Sequence, residues 1–165
     1  MSSCPEISVI IPLYNHEKFI NEAVRSVLNQ SYGDIELIVI DDGSKDKSGK
    51  IVQSIRDPRL KYIYQDNQGA HNAINNGIKL ANGKYISILN SDDIYYENRF
   101  EMFIGAIKND PNIKLLFSDI EIIDANGKFL RYKGGANDNW YLQSSLPSFR
   151  DDNDIMLNLL AGNYI

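Results

Sequence analysis

The feature that most limits how this chain can fold is its rhythm. Short β-branched runs alternate with segments whose apolar residues recur at helical spacing, and the alternation repeats four times. Ile7–Ile11 is the first run, stopped by Pro12, which cannot continue the hydrogen-bond ladder of a central strand. Phe19, Ile20, Ala23, Val24, Val27 and Leu28 then mark a helix, with Asn15 as its N-cap and Ser31-Tyr32-Gly33 as its stop. Ile35–Ile40, interrupted by Glu36, reads as a second strand, and Lys45–Arg56 as a second helix closed by Asp57-Pro58. Leu60–Tyr64 is a third strand. Ala70, Ala73, Ile74, Ile78 and Ala81 come next as a helical stripe of small residues that can lie close against a sheet. After the Asn82-Gly83 turn, Tyr85–Leu89 reads as a strand covered on both faces. Phe100, Phe103, Ile104 and Ile107 mark a fourth helix ended by Asn109-Asp110-Pro111, and Ile113–Phe117 a fifth strand.

Such alternation predicts an α/β fold with a doubly wound, mostly parallel sheet. In a parallel sheet all strands point the same way, so the residues just past their ends gather on one edge, where open α/β sheets bind ligands. Here those residues are polar: Tyr14-Asn15, Asp41-Asp42, Asp66-Asn67 and Asn90-Ser91-Asp92-Asp93. Two of the four strand ends carry adjacent carboxylates, a chemistry suited to a hard divalent cation, which takes oxygen ligands and in turn holds a diphosphate. The competing reading of Ser91-Asp92-Asp93 is a helix N-cap. Past residue 118 the rhythm changes. Ile120–Ile123 and Phe129–Tyr132 flank Asp124-Ala125-Asn126-Gly127 and read as a C-terminal β-hairpin, residues 134–150 as a long loop with aromatic anchors, and Ile155–Leu160 as a short helix capped by Asp151–Asp154.

Length and charge narrow the function. A chain of 165 residues with 43% apolar residues supports one domain, and a net charge of −5 offers no basic footprint for nucleic acid. Cys4 is the only cysteine, and His16 and His71 lack paired spacing, so neither a disulfide nor a zinc site is expected and both histidines read as loop residues. No apolar run reaches membrane-spanning length and no signal pattern opens the chain, which points to the cytoplasm, including the membrane periphery. The glycine patterns of dinucleotide, P-loop and α/β-hydrolase sites are missing. Asp42 can accept from a base or a ribose hydroxyl, Tyr14 can stack on a base, and Asp92 is the best-placed metal ligand, with Asp93 beside it as a supporting acceptor or a helix cap.

Several segments carry a resemblance: Ser8-Val9-Ile10-Ile11-Pro12-Leu13-Tyr14-Asn15, Ser26–Tyr32, Asp41-Asp42-Gly43-Ser44, Ala73–Gly77, and Gly83–Ile86 through Asn90–Asp93. In order and spacing, over roughly residues 6–133, the chain resembles the family 2 glycosyltransferases of the Rossmann-like GT-A fold. The resemblance implies a nucleotide-sugar-binding core over 1–133 and the start of an acceptor-side region over 134–165. It implies that Pro12, Tyr14, Asn15 and Asp42 hold the nucleotide base, most often uracil, with Asp41 and Ser91 in the same nucleotide-binding set. Asp92 would bind the manganese or magnesium that bridges the diphosphate. The expected partners are a nucleotide-sugar donor and a carbohydrate or lipid-linked acceptor, in cell-surface polysaccharide synthesis.

Two departures qualify the resemblance. Asn90 stands where the family often has the first aspartate of its metal motif, and no Glu-Asp motif supplying the catalytic base is found before Ile165. The expectation is therefore a chain cut before its base motif, with the catalytic residue unassigned, which binds donor but transfers slowly. The alternative is a catalytically incomplete nucleotide-binding fragment or an interaction module. A sugar nucleotidyltransferase is disfavoured, because Pro12-Leu13-Tyr14-Asn15 stands where its glycine-rich, basic phosphate loop would be.

Overall fold

The computed structural model describes residues 4–116, 118, 120–124 and 127–133. The chain forms two compact units, Met1–Asn112 and Ile113–Ile165. In the first, β1 (Ile7–Leu13), α1 (Ile20–Leu28), β2 (Ile35–Asp42), α2 (Ser48–Ser54), β3 (Leu60–Gln65), α3 (Ala70–Leu80), β4 (Tyr85–Ile88) and α4 (Arg99–Asn109) alternate along the chain. The four strands make one parallel sheet in the order β3-β2-β1-β4. Sheet growth thus runs from β1 to β3 on one side and resumes with β4 on the other side of β1. This is the doubly wound α/β arrangement expected.

The alternation of side chains along each strand distributes two cores. Val9, Ile11 and Leu13 of β1 and Leu37 and Val39 of β2 pack with α1, with Val52 of α2 and with Phe100 and Ile104 of α4, all nearly or fully buried. Ile38 and Ile40 face the other way, onto Ala73 of α3. Each such aliphatic side chain contributes roughly 1.5–3 kcal/mol relative to exposure. The small-residue stripe does what its composition predicts: a Cβ on Gly77 would lie 2.5 Å from Ile10 Cγ2, so the helix rests directly on the sheet. Gly83 lies closer still, since a Cβ there would come within 2.4 Å of the Ser8 amide nitrogen.

Glu36, the polar interruption of β2, is the hub of a buried network. Its carboxylate accepts from Ser8 Oγ, Lys61 Nζ and the Asn82 N–H, each at 2.6 Å, and Ser8 Oγ accepts from the Gly83 N–H at 2.7 Å. Burial alone would push this carboxyl upward, but the donors from Lys61, Ser8 and Asn82 outweigh it and bring it down to about 2. The network joins β1, β2, β3 and the turn into β4.

Several expectations are corrected. β1 runs through Pro12, which pairs in register with Ile40. The Leu89 N–H donates to the Ile10 carbonyl at 3.0 Å, so Ile10, and with the same parity Pro12, turn their backbone groups toward β4, which ends at Ile88. The N–H that Pro12 lacks falls beyond that end, where no ladder bond is required. β4, an edge of the described sheet, is not covered on both faces: Ile86 and Ile88 are 44% and 43% exposed, because apolar content does not reveal whether anything packs over a strand. Asn15 does not cap α1, which starts at Ile20 after a turn. Residues 113–116 form no strand: a short apolar run marked them, and no partner strand meets them among the described residues.

In the second unit, β5 (Ile120–Ile123) and β6 (Phe129–Lys133) form the expected antiparallel hairpin. Gly127 sits at φ 78°, the left-handed geometry for which a glycine is suited, and the register shifts between Ile122 and Ile123. The loop expected over 134–150 and the helix expected over 155–160 lie outside the described residues.

Candidate functional site

The four strand ends of the first unit are stitched to one another by hydrogen bonds, side to side along the sheet edge. Between the loops after β1 and β2 the bonds are reciprocal. The Asn15 N–H donates to Ser44 Oγ at 3.0 Å, and Asn15 Oδ1 accepts from the Lys45 N–H at 2.8 Å. The Glu17 N–H donates to Asp46 Oδ2 at 3.0 Å while Glu17 Oε2 accepts from the Lys47 N–H at 2.9 Å. Asn15 holds this clasp at φ 55°, a left-handed conformation that asparagine tolerates better than most residues. Tyr14, just before it, is 43% exposed.

The acid pair after β2 is buried. Asp41 and Asp42, each 2% exposed, point to opposite faces of the sheet as consecutive strand residues must. Asp41 accepts from Tyr62 Oη at 2.6 Å and from the Ser44 N–H at 2.9 Å. Burial first, and then the Asp41 carboxylate, push the Tyr62 hydroxyl up to about 12, so it stays a donor. Asp42 accepts from Gln65 Nε2 at 2.7 Å, from the Gln68 N–H at 2.9 Å and from the Gly69 N–H at 2.8 Å, which draws the loop after β3 over the end of β2. Asn76 Nδ2 donates to Gln65 Oε1 at 2.7 Å and so holds the glutamine from α3.

The acid turn after β4 is built differently. The Asp93 N–H donates to the Asn90 carbonyl at 3.2 Å and Asn90 Nδ2 to Asp93 Oδ2 at 3.0 Å, closing a turn on itself. Ser91 is buried and its Oγ lies 2.7 Å from His16 Nδ1. Asp92, between them, is exposed and its carboxylate has no hydrogen-bond partner among the described residues. α4 begins only at Arg99, with Asn98 at the cap position, so the helix-cap reading of Ser91-Asp92-Asp93 does not hold. Behind the turn, Ser26 Oγ accepts from the Tyr95 N–H at 3.1 Å. Gln30 Nε2 donates to the Tyr96 carbonyl at 2.7 Å and its Oε1 accepts from the Phe100 N–H at 3.1 Å. These bonds give the Ser26–Gln30 stretch its work: it anchors the segment that leaves the turn.

Among the described residues no three His, Cys, Asp or Glu side chains gather as a metal cage. What Asp92 offers fits a different kind of site, in which a divalent cation takes one protein carboxylate, keeps water and completes its shell on phosphate oxygens. The arrangement therefore brings together Pro12, Tyr14, Asn15, Asp41, Asp42, Ser91 and Asp92 along one edge, with both oxygens of Asp41 and of Asp42 engaged internally. The sequence reading missed the partners: His16, Tyr62, Gln65 and Gln30. His16 had one available signal, its position three residues past the end of β1.

Comparison with known proteins places this geometry. The family model described as Glycosyl transferase family 2 matches residues 8–158. An uncharacterised glycosyltransferase of Rickettsia felis is 39% identical over 132 residues, covering 78% of this chain and 22% of the relative. The chain spans less than half the length of the curated relatives it matches. Among solved structures, S. aureus TarS 1-349 in complex with UDP-GlcNAc superposes with a TM-score of 0.61 at 30% identity, over 63% of this chain and 31% of that one. The mannosyltransferase PcManGT of Pyrobaculum calidifontis, in complex with GDP-Man and Mn2+, gives 0.52 at 25% identity, over 57% and 29%. The parallel α/β sheet is thus shared with a protein solved in complex with a nucleotide sugar, and the chain belongs to glycosyl transferase family 2, with the GT-A-type α/β fold.

Proposed function

We propose that this chain forms the nucleotide-sugar-binding part of an inverting glycosyltransferase that moves a sugar from a UDP-linked donor to an acceptor hydroxyl of a carbohydrate or lipid-linked substrate. The observation that carries the reading is the contrast within one edge: the loops are locked together by internal bonds, while the Asp92 carboxylate and the Tyr14 ring face solvent. A rigid edge with a free acid and a free aromatic is preorganised for a nucleoside diphosphate. UDP-GlcNAc on TarS, and GDP-Man with Mn2+ on PcManGT, support the ligand class.

In this reading Tyr14 stacks on the base, Pro12 and Asn15 shape the floor beneath it, and Asp41 and Asp42 act by holding the loops that flank it. Ser91 positions its turn, and Asp92 would hold manganese or magnesium. Such a cation, when bound, stabilises the charge that develops on the departing diphosphate. Transfer itself forms a bond from the acceptor oxygen to the anomeric carbon as the bond to the diphosphate breaks. The acceptor proton passes to a general base, a role assigned to none of the described residues.

Calorimetric titration of UDP and of GDP, each with and without manganese, tests the reading. Saturable binding that tightens with manganese is expected, and Asp92→Ala should remove the manganese-dependent part. If neither nucleotide binds with manganese present, the donor-site reading falls.

A further inference from the structure

The bond between His16 and Ser91 crosses the one place where the sheet changes direction of growth. β1 and β4 are neighbours, Ile10 pairing with Ile88, yet β4 is reached only after the chain has built out through β2 and β3. Beyond Ile88 and Leu89 the two strands have no further ladder bonds to hold their loops together, and the loops on either side carry different halves of the site: Tyr14 and Asn15 on one, Asp92 on the other. His16 is held at several points. Its carbonyl accepts from the Phe19 and Ile20 N–H groups, each at 3.0 Å, so its backbone is the first turn leading into α1. Its ring packs edge-on against Phe19, with centroids 6.2 Å apart and planes at 85°. The remaining contact is Nδ1 to Ser91 Oγ at 2.7 Å, between groups 75 positions apart, with Ser91 3% exposed.

We propose that His16 is a positioning residue of the donor site: through Nδ1 and Ser91 Oγ it sets the spacing between the base-binding loop after β1 and the Asp92 turn. The inference rests on the proposed nucleotide-diphosphate reading of that edge. A nucleoside diphosphate of fixed length spans both loops only if they stand at the right separation, and the free energy of ordering them is then met on folding rather than on binding. His16 itself need not touch the ligand. Its effect falls on the cation-linked half, because the loop it constrains ends in Asp92 while Tyr14 and Asn15 are independently clasped to Ser44 and Lys45.

The test is the ratio of UDP affinities with and without manganese, measured by calorimetry on the same chain. His16→Phe keeps an aromatic ring against Phe19 but has no Nδ1, and should lower the manganese-dependent gain roughly three- to ten-fold, the span of a single hydrogen bond, with metal-free UDP affinity unchanged. Ser91→Ala should lower the same gain by a similar factor, and the His16→Phe/Ser91→Ala double variant should show no larger loss of that gain than either, since both remove one bond. His16→Asn, whose amide group stands near the position of Nδ1, should restore most of the gain, whereas His16→Gln, which reaches toward Nε2, should not. Equal losses with and without manganese, or equal behaviour of the Asn and Gln variants, would overturn the proposal, as would wild-type ratios in His16→Phe. If the wild-type chain itself fails to bind UDP and GDP with manganese, the donor-site reading is what has failed, and this inference goes with it.

Discussion

Two strands in this protein lead into a pair of aspartates, and the pairs meet opposite fates. Asp41 and Asp42 are 2% exposed and between them accept from a tyrosine, a glutamine and three backbone N–H groups. Asp92 and Asp93 are exposed, and among the described residues the hydrogen bond their carboxylates make is the one Asn90 donates to Asp93. The first pair lies inside β2, between two strands and under two helices, so its charge must be met by donors or the fold would not tolerate it. The second pair lies past the end of an edge strand, where water supplies that solvation. A repeated dipeptide therefore meets two environments: one pair organises the loops, and the other leaves the Asp92 carboxylate exposed to solvent.

If that division is right, stability should track the first pair and ligand binding the second. Asp42→Ala should have the largest effect on folding, a loss of about 3 kcal/mol in chemical denaturation, because it removes the acceptor of the part-buried Gln68 and Gly69 N–H groups and of Gln65 together. Tyr62→Phe, which takes one donor from Asp41, should cost about 1.5 kcal/mol, as expected for a hydrogen bond to a charged group. Glu36 extends the comparison to a buried carboxylate far from the site. Its folded pKa of about 2 lies below its ordinary 4.5. It therefore adds stability that is complete above about 4.5 and is lost as pH falls from there toward 2. A Glu36→Gln variant should show a flatter acid limb over that window. Smallest of all, Asp92→Ala should shift unfolding by less than about 0.5 kcal/mol while removing manganese-dependent UDP binding. A large stability loss at Asp92, or none at Asp42, would erase the contrast.

The elements themselves were legible. Helical spacing over Ile20–Leu28 and Arg99–Asn109, the small stripe of α3 and the Asn126-Gly127 turn signal all express interactions between near neighbours in sequence, and each element lies where its pattern put it. The misreadings have a common cause. Pro12 looked like the end of a strand because its missing N–H matters only if a partner strand is present on that side. Ile113–Phe117 looked like a strand because an apolar run does not reveal whether a partner strand is present. β4 looked covered on both faces because Ile86 and Ile88 are apolar whether or not anything packs over them.

The sequence by itself determined that this is an α/β chain with its polar strand ends collected on one edge, because periodicity and turn chemistry act within a few residues and parallel topology then leaves little choice. Only the tertiary structure decided which of those polar groups are available. Asp42 is engaged by Gln65, Gln68 and Gly69, and Ser91 by His16, across separations of 23 to 75 positions. No local pattern encodes such pairings, because they depend on strand order and on how far each strand outruns its neighbour. The exposure of Asp92 has the same cause: β4 ends early at the edge of the described sheet, and the turn beyond it carries the carboxylate out into water.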